Sequence, residues 1–379
     1  MESGPGNPAI ADSVSDEFLK SANILATPKR LPSLTGLRGA AALWVVFFHL
    51  FPLLGRLFHA NLDLLWVREG YLGVDVFFIL SGYILFHVYA SDFKRYGIRE
   101  HIQFLTIRLA RIYPLHFAVM LCFALAVWLV PGLAAQNTFP RYSVRAFLIA
   151  MALLQNCYRY PLIWNSPAWS LSAEWFAYVL FPGLLIVVRS VRVAWHAMAA
   201  ALLSLAGLAL LFIAFGHSLN AQGKAGFLRL AAEFPAGMLI RRAQSLGVPA
   251  RFPWRWLNPA ATLLLGATLF YRSTVPLSVP LFGILIFSLS SSEGQMDRLF
   301  KSRIMMFLGE ISYSMYLVQA LLFELATWYI NRYAPVGSNA WAMAALLITA
   351  LLFAPLLSWW AIERPGRAAG RRLAARLRS

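Results

Sequence analysis

The sequence predicts an all-α polytopic membrane protein with about ten transmembrane helices, and three observations carry that prediction. Hydrophobic residues make up 60% of the 379, and a single soluble core does not grow large enough to hide that much apolar surface. Charged residues are only 13%, about half the share of an average soluble chain. The apolar residues also gather in runs near the roughly 20 residues a helix needs to cross a bilayer. The same composition excludes a disordered chain. The two cysteines, Cys122 and Cys157, cannot build a disulfide scaffold and lack the clustering of a metal site, so no metal is expected.

Taken in order, residues 1–30 are polar, with Asp12, Asp16 and Glu17, and lack the apolar stretch of a secretory signal. They predict a mobile cytoplasmic leader. Candidate spans follow at about 36–55, 71–90, 112–131, 173–188 and 195–215. Five more lie at about 228–240, 257–271, 276–290, 305–330 and 341–360, the first three of them short. The stretch 143–155 is apolar but also short, and reads as a re-entrant or interfacial segment. Residues 31–365 thus form one membrane domain, followed by a basic cytoplasmic tail over 366–379 that leaves no room for an appended soluble enzyme.

The basic residues fix the orientation, because loops rich in Lys and Arg stay cytoplasmic. Lys29 and Arg30 precede the first span, and Lys94, Arg95, Arg99, Arg108 and Arg111 fill the loop after the second. Arg189 and Arg192, then Arg241, Arg242, Arg251 and Arg255, then Arg298, Lys301 and Arg303, and finally the tail arginines form the later groups. Ten spans place all of these on one side, with both termini cytoplasmic; an eleventh at 143–155 would misplace the later ones. Arg56, Arg68, Arg141, Arg159 and Arg272 are strays on the other side. The net charge of +17, which alone would suggest nucleic acid, therefore records topology. The expected partner is the lipid bilayer.

Ionisable groups at membrane depth are functional candidates, since burying them there costs several kcal/mol. Arg38, His49, Asp75, Glu174, Glu233 and Glu324 lie in or at the rim of candidate spans. Glu233 and Glu324, near span ends, also suit snorkelling or helix pairing. Asp75 is equally a catalytic acid or the structural pair of an arginine. Arg38 and His49 are eleven residues apart on one predicted helix, which returns them to within about 20° of the same face, some 16 Å apart in rise. That geometry suits an elongated anionic molecule held by its head, with its far end at an imidazole able to transfer protons near neutral pH.

Trp169-Ser170-Leu171-Ser172-Ala173-Glu174 places a carboxylate in an aromatic setting. It could orient a histidine, accept a proton or bind a sugar hydroxyl; a plain helix cap at Ser172 is the alternative. The run Arg108-Leu109-Ala110-Arg111-Ile112-Tyr113-Pro114 is either ordinary cytoplasmic charge or a phosphate clamp.

Together these stretches resemble the acyltransferase-3 family, integral-membrane enzymes that O-acylate bacterial polysaccharides and other extracytoplasmic acceptors. Gly36-Leu37-Arg38-Gly39 through Phe48-His49 is similar to the family's arginine–histidine motif, and Gly70 through Tyr83 to its second-span signature. Arg108 through Pro114, Trp169 through Glu174, Gly309-Glu310-Ile311-Ser312-Tyr313-Ser314-Met315-Tyr316-Leu317 and Glu363-Arg364-Pro365 continue the likeness over residues 31–365.

The resemblance implies acetyl-CoA, or another acyl-CoA, as cytoplasmic donor, and a glycan or glycolipid hydroxyl as acceptor at a bacterial inner membrane. On it, Arg38, Arg108 and Arg111 are expected to hold the donor's phosphates. His49 acts as general base, with Asp75 or Glu174 orienting it. Trp169, Ser172, Tyr313 and Gln319 are expected on the acceptor side. Gln319 is a departure: many members carry a histidine after the Tyr-Leu pair, and glutamine cannot shuttle a proton near pH 7. The rival class is a proton-coupled transporter or flippase of a glycolipid or polysaccharide unit. It predicts inverted repeats, and the sequence shows none, although Pro235 and Pro276 interrupt short spans.

Overall fold

The computed structural model describes residues 31–90, 97–136, 141–158, 161–247, 254–291 and 294–377. The expected leader, residues 1–30, lies outside the described residues, as do Arg159, Lys94 and Arg95. Every regular element among the described residues is helical, as expected of an all-α membrane protein.

Twelve helices of eight residues or more organise the described chain. They are α1 (Pro32–Phe58), α2 (Gly73–Tyr89), α3 (Ile98–Leu129), α4 (Val144–Met151), α5 (Ala168–Ser190) and α6 (Ala194–Ala214). Then come α7 (Lys224–Ser245), α8 (Trp254–Thr268), α9 (Ser278–Ser291), α10 (Arg303–Tyr333), α11 (Ser338–Ser358) and α12 (Arg364–Arg376). Seven stretches are long and apolar enough to cross a membrane: α1, α2 with the turn before it, α3, α5, α6, α10, and α11 running on into α12. The three short candidates of the sequence fold as α7, α8 and α9. The 143–155 stretch yields only the eight-residue α4, about 12 Å long and thus too short to cross as a helix.

Local sequence sets the ends. Pro32 opens α1 at a position where its missing N–H is not needed. His59 closes α1 in the left-handed region and donates its N–H to the Gly55 carbonyl. The basic stretch expected as a tail continues from α11 through a π-helical turn, Trp359–Glu363, into α12. There Gly366 meets Pro114 and Gly370 meets Ala110, so α12 packs along α3.

Two crossings position the site. In α1 and α10, a Cβ on Gly39 would stand 2.5 Å from the Gly309 nitrogen, and one on Gly309 2.0 Å from the Thr35 carbonyl oxygen. In α2 and α7, a Cβ on Gly82 would stand 1.9 Å from the Phe234 oxygen, and one on Gly237 1.9 Å from the Ile79 oxygen. Paired glycines let backbones touch where lipid supplies no hydrophobic drive for helix association. The contacts run in the same direction along both chains: Arg38 to Gly309 and Arg56 to Asn331, Asp75 to Arg229 and Gly82 to Phe234. Both pairs are therefore parallel.

Candidate functional site

Four cavities follow one another, the first three among α1, α2, α3, α5, α7 and α10 and the fourth between α1, α6 and the loops before α2 and after α8. The innermost, about 30 Å³, is lined by Arg38, Ser81, Arg108, Arg111, Glu174 and Tyr178. The next, about 80 Å³, shares Arg38, Ser81, Arg111 and Glu174 with it and adds Ser170, Tyr313 and Tyr316. The third, about 280 Å³, contains His49, Trp169 and Arg229, and meets the second at Val74 and Tyr316. The fourth, about 480 Å³, meets the third at Phe48, Tyr71 and Asn220. Along α2, Leu85 marks the first cavity and Tyr71, just before the helix, the last two; that is a depth of about 21 Å.

The inner end is a cluster of guanidinium groups. Arg38 donates from Nε to the Gly309 carbonyl at 3.1 Å, fixed there by the glycine crossing. Arg108 is buried and donates to the Tyr89 hydroxyl at 2.9 Å, with Phe104 and Tyr178 rings also over its carbon. Arg111 and Arg367 lie close enough to Arg38 to oppose its charge, and Glu363 and Glu174 to favour it. Glu174 accepts from Ser81 Oγ at 2.5 Å. Glu363, buried at the π-helical turn, accepts from Ser314 Oγ at 2.6 Å and pairs with Arg367 one turn on. Four arginines against two carboxylates leave excess positive charge in a low-dielectric setting, which suits a phosphate-bearing ligand.

His49 sits in the third cavity and is exposed to it, although it lies deep in α1. Its Nδ1 lies 2.9 Å from the Val45 carbonyl oxygen on the same helix. A carbonyl only accepts, so Nδ1 carries the hydrogen and the neutral ring keeps its lone pair on Nε2. Phe323 stacks on the ring at 5.7 Å and Phe48 meets it edge-on at 4.8 Å. Backbone and aromatic contacts thus hold the imidazole with Nε2 free to accept a hydrogen bond.

The expected hydrogen bond from His49 to Asp75 or Glu174 is not formed among the described residues. Asp75 is turned toward α7, where Arg229 donates Nε to Oδ1 at 3.0 Å and Nη2 to Oδ2 at 2.8 Å. This is the arginine pair that was one of two readings of Asp75. Glu174 belongs with the inner arginines, because α5 begins at Ala168 and not near residue 173, which carries the carboxylate more than a turn into the helix. The cap reading of Ser172 fails for the same reason: it lies inside α5, buried, accepting from the Asn156 N–H at 3.4 Å.

Of the other expected residues, Trp169 lines the His49 cavity under the Arg229 guanidinium, 5.4 Å from its ring. Tyr313 lines the second cavity and donates to the Ile112 carbonyl at 2.5 Å. Gln319 is buried, donates to the Tyr316 carbonyl at 3.2 Å on its own helix, and lines none of the four cavities. Glu324 on α10 pairs at 3.2 Å with Arg141 in the turn before α4, tying a loop and not a second helix to α10.

Three residues were not singled out from the sequence. Tyr316 stands between the second and third cavities, its hydroxyl 3.0 Å from the Pro167 carbonyl and 2.8 Å from Ser170 Oγ. Arg229, only 1% exposed, lines the His49 cavity; its signal was an arginine one helical turn from Glu233 at the rim of an apolar run. Arg367 reaches the inner cluster from the segment read as a tail.

The chain is similar to known proteins over the same region. The family model described as "Acyltransferase domain" matches residues 31–360. Acyltransferase MdmB of Streptomyces mycarofaciens is 28% identical over 84% of this chain and 87% of its own. O-acetyltransferase OatA of Staphylococcus aureus is 29% identical over 41% of this chain, which corresponds to only 25% of that protein. Protein 2 in picA locus of Rhizobium radiobacter is 31% identical over 45% of this chain and 85% of its own. No solved structure matches the chain. A family match across nearly all the helices that build the cavity series leads to one conclusion: the chain belongs to the acyltransferase-3 family, and is a multi-pass membrane acyltransferase.

Proposed function

We propose that the protein transfers an acyl group, most simply acetyl, from cytoplasmic acyl-CoA to a hydroxyl of an extracytoplasmic or lipid-linked glycan in the bacterial inner membrane. The observation that carries this reading is the alignment of cavities from the Arg38–Arg111 cluster to exposed His49, divided only by the Val74–Tyr316 partition. The name of the relative OatA, an O-acetyltransferase, supports oxygen as the acceptor atom.

In this reading Arg38, Arg111 and Arg367 bind the donor's phosphates, with Arg108 beneath them. The thioester lies at the Val74–Tyr316 partition. His49 Nε2 takes the proton of the acceptor hydroxyl as its oxygen attacks the thioester carbonyl. The carbon–sulfur bond breaks, the proton passes from the imidazolium to the leaving thiolate, and the products are an ester and free CoA. A cavity of about 80 Å³ holds only a few waters, so the donor arm requires the side chains at this partition to move apart.

His49→Ala is expected to abolish transfer of label from radiolabelled acetyl-CoA to membrane glycans while expression and insertion stay normal. Full transfer in that variant would remove His49 from the mechanism. A proton-coupled carrier needs no acyl donor, so the same assay on the wild-type protein separates the two classes.

A further inference from the structure

The arginines on the side opposite the basic loops are the ones that the topology does not explain. Several have protein partners, and Arg145 lies over the Tyr158 ring. Arg56 donates to the Asn331 side-chain oxygen, Arg141 pairs with Glu324 and donates to Ser166, and Arg68 Nε donates to Glu69 at 2.8 Å. Arg272 makes no hydrogen bond or ion pair to the described residues.

Arg68 and Arg272 come from different loops, before α2 and after α8, yet line the same cavity of about 480 Å³. That volume lies within the roughly 300–1,000 Å³ of small-molecule sites. Glu69 is the cavity's lone carboxylate, and both of its oxygens are occupied. Arg68 holds one, and the Tyr71 hydroxyl donates to the other at 2.6 Å. Glu69 is 4% exposed and bonded by Arg68 and Tyr71, and it makes no ion pair with Arg272. The cavity is therefore lined by one neutralised arginine with an unused end to its fork and by the exposed Arg272, which has no protein partner among the described residues. Its shared wall with the His49 cavity, Phe48, Tyr71 and Asn220, places both beside the proposed reaction.

We propose that this outer cavity is the acceptor subsite, and that Arg68 and Arg272 bind an oxyanion, a carboxylate or a phosphate, carried by the acceptor close to the hydroxyl that is acylated. A guanidinium fork matches either group in two-point geometry. The inference rests on the acyl-transfer reading and narrows its acceptor to acidic saccharides.

Binding is measured on the intact His49→Ala protein in lipid nanodiscs, which cannot turn over in that reading. Three probes are used: a glucuronate-containing oligosaccharide, the same oligosaccharide with its carboxyl reduced to an alcohol, and a sugar phosphate. At least one anionic probe is expected to bind about tenfold or more tightly than the reduced one. Arg272→Gln is expected to erase that difference, and Arg68→Gln to diminish it. The anion that binds tells carboxylate from phosphate. Equal binding of all three probes, or a preference that survives Arg272→Gln, overturns the proposal. Transfer from labelled acetyl-CoA by the wild-type protein is followed separately, so a failure of acyl transfer is told apart from a failure of anion recognition.

Discussion

Asp75 and Arg229 lie 154 residues apart and form a two-point ion pair with side chains 0% and 1% exposed. Removing one partner of such a pair leaves an uncompensated buried charge and destabilises by about 3–5 kcal/mol, whereas replacing both with apolar groups is often nearly neutral. Asp75→Ala is therefore expected to lower the thermal stability of the purified protein sharply, and Asp75→Leu with Arg229→Met to restore most of it. If the restored protein still transfers acyl groups, Asp75 is structural; if it is stable but inactive, the pair serves the reaction through the cavity that Arg229 lines. The sequence made Asp75 visible as an ionisable group at membrane depth. It could not decide between the two readings, because the deciding partner sits on another helix. His49 stood out in the sequence through its spacing from Arg38, and the contact that orients its ring, to the Val45 carbonyl, lies one turn away on the same helix.

At the scale of elements, apolar runs located the long helices well, since the bilayer constrains length directly. Their starts were less visible. Glu174 changed compartments because α5 begins at Ala168, set by the Asn165–Pro167 turn. The role of the C-terminal stretch was hidden because positive charge at a cytoplasmic end already has a sufficient explanation in topology. Glycine crossings were unreadable without knowing which helices meet. They yield a sharp contrast: Gly237→Ala forces its Cβ against the Ile79 carbonyl, and overpacking of this kind costs about 1–3 kcal/mol. Gly183→Ala in α5 meets open space and is expected to be neutral or to stabilise by up to about 1 kcal/mol through helix propensity. Thermal unfolding of the two variants in one detergent compares them; equal behaviour would mean that the α2–α7 crossing is looser than its glycines imply.

For the whole molecule, the charge pattern and the cavity series describe one axis. Basic loops gather toward the Arg38 end, and at the other end Arg56 and Arg141 have protein partners while Arg68 and Arg272 line the outer cavity. Between the ends stands the wall of Val74 and Tyr316, with the Tyr316 hydroxyl tied to Pro167 and Ser170. Its consequence concerns the cell as much as the reaction. Polar chambers on either side of a bilayer become a leak once joined, and in the proposed reaction a side chain that yields to a thioester must still insulate one face of the membrane from the other. Tyr316→Ala is accordingly expected to raise the proton permeability of liposomes carrying the protein, read by an internal pH dye after an external acid pulse. Wild-type permeability in that variant would show that the seal lies elsewhere.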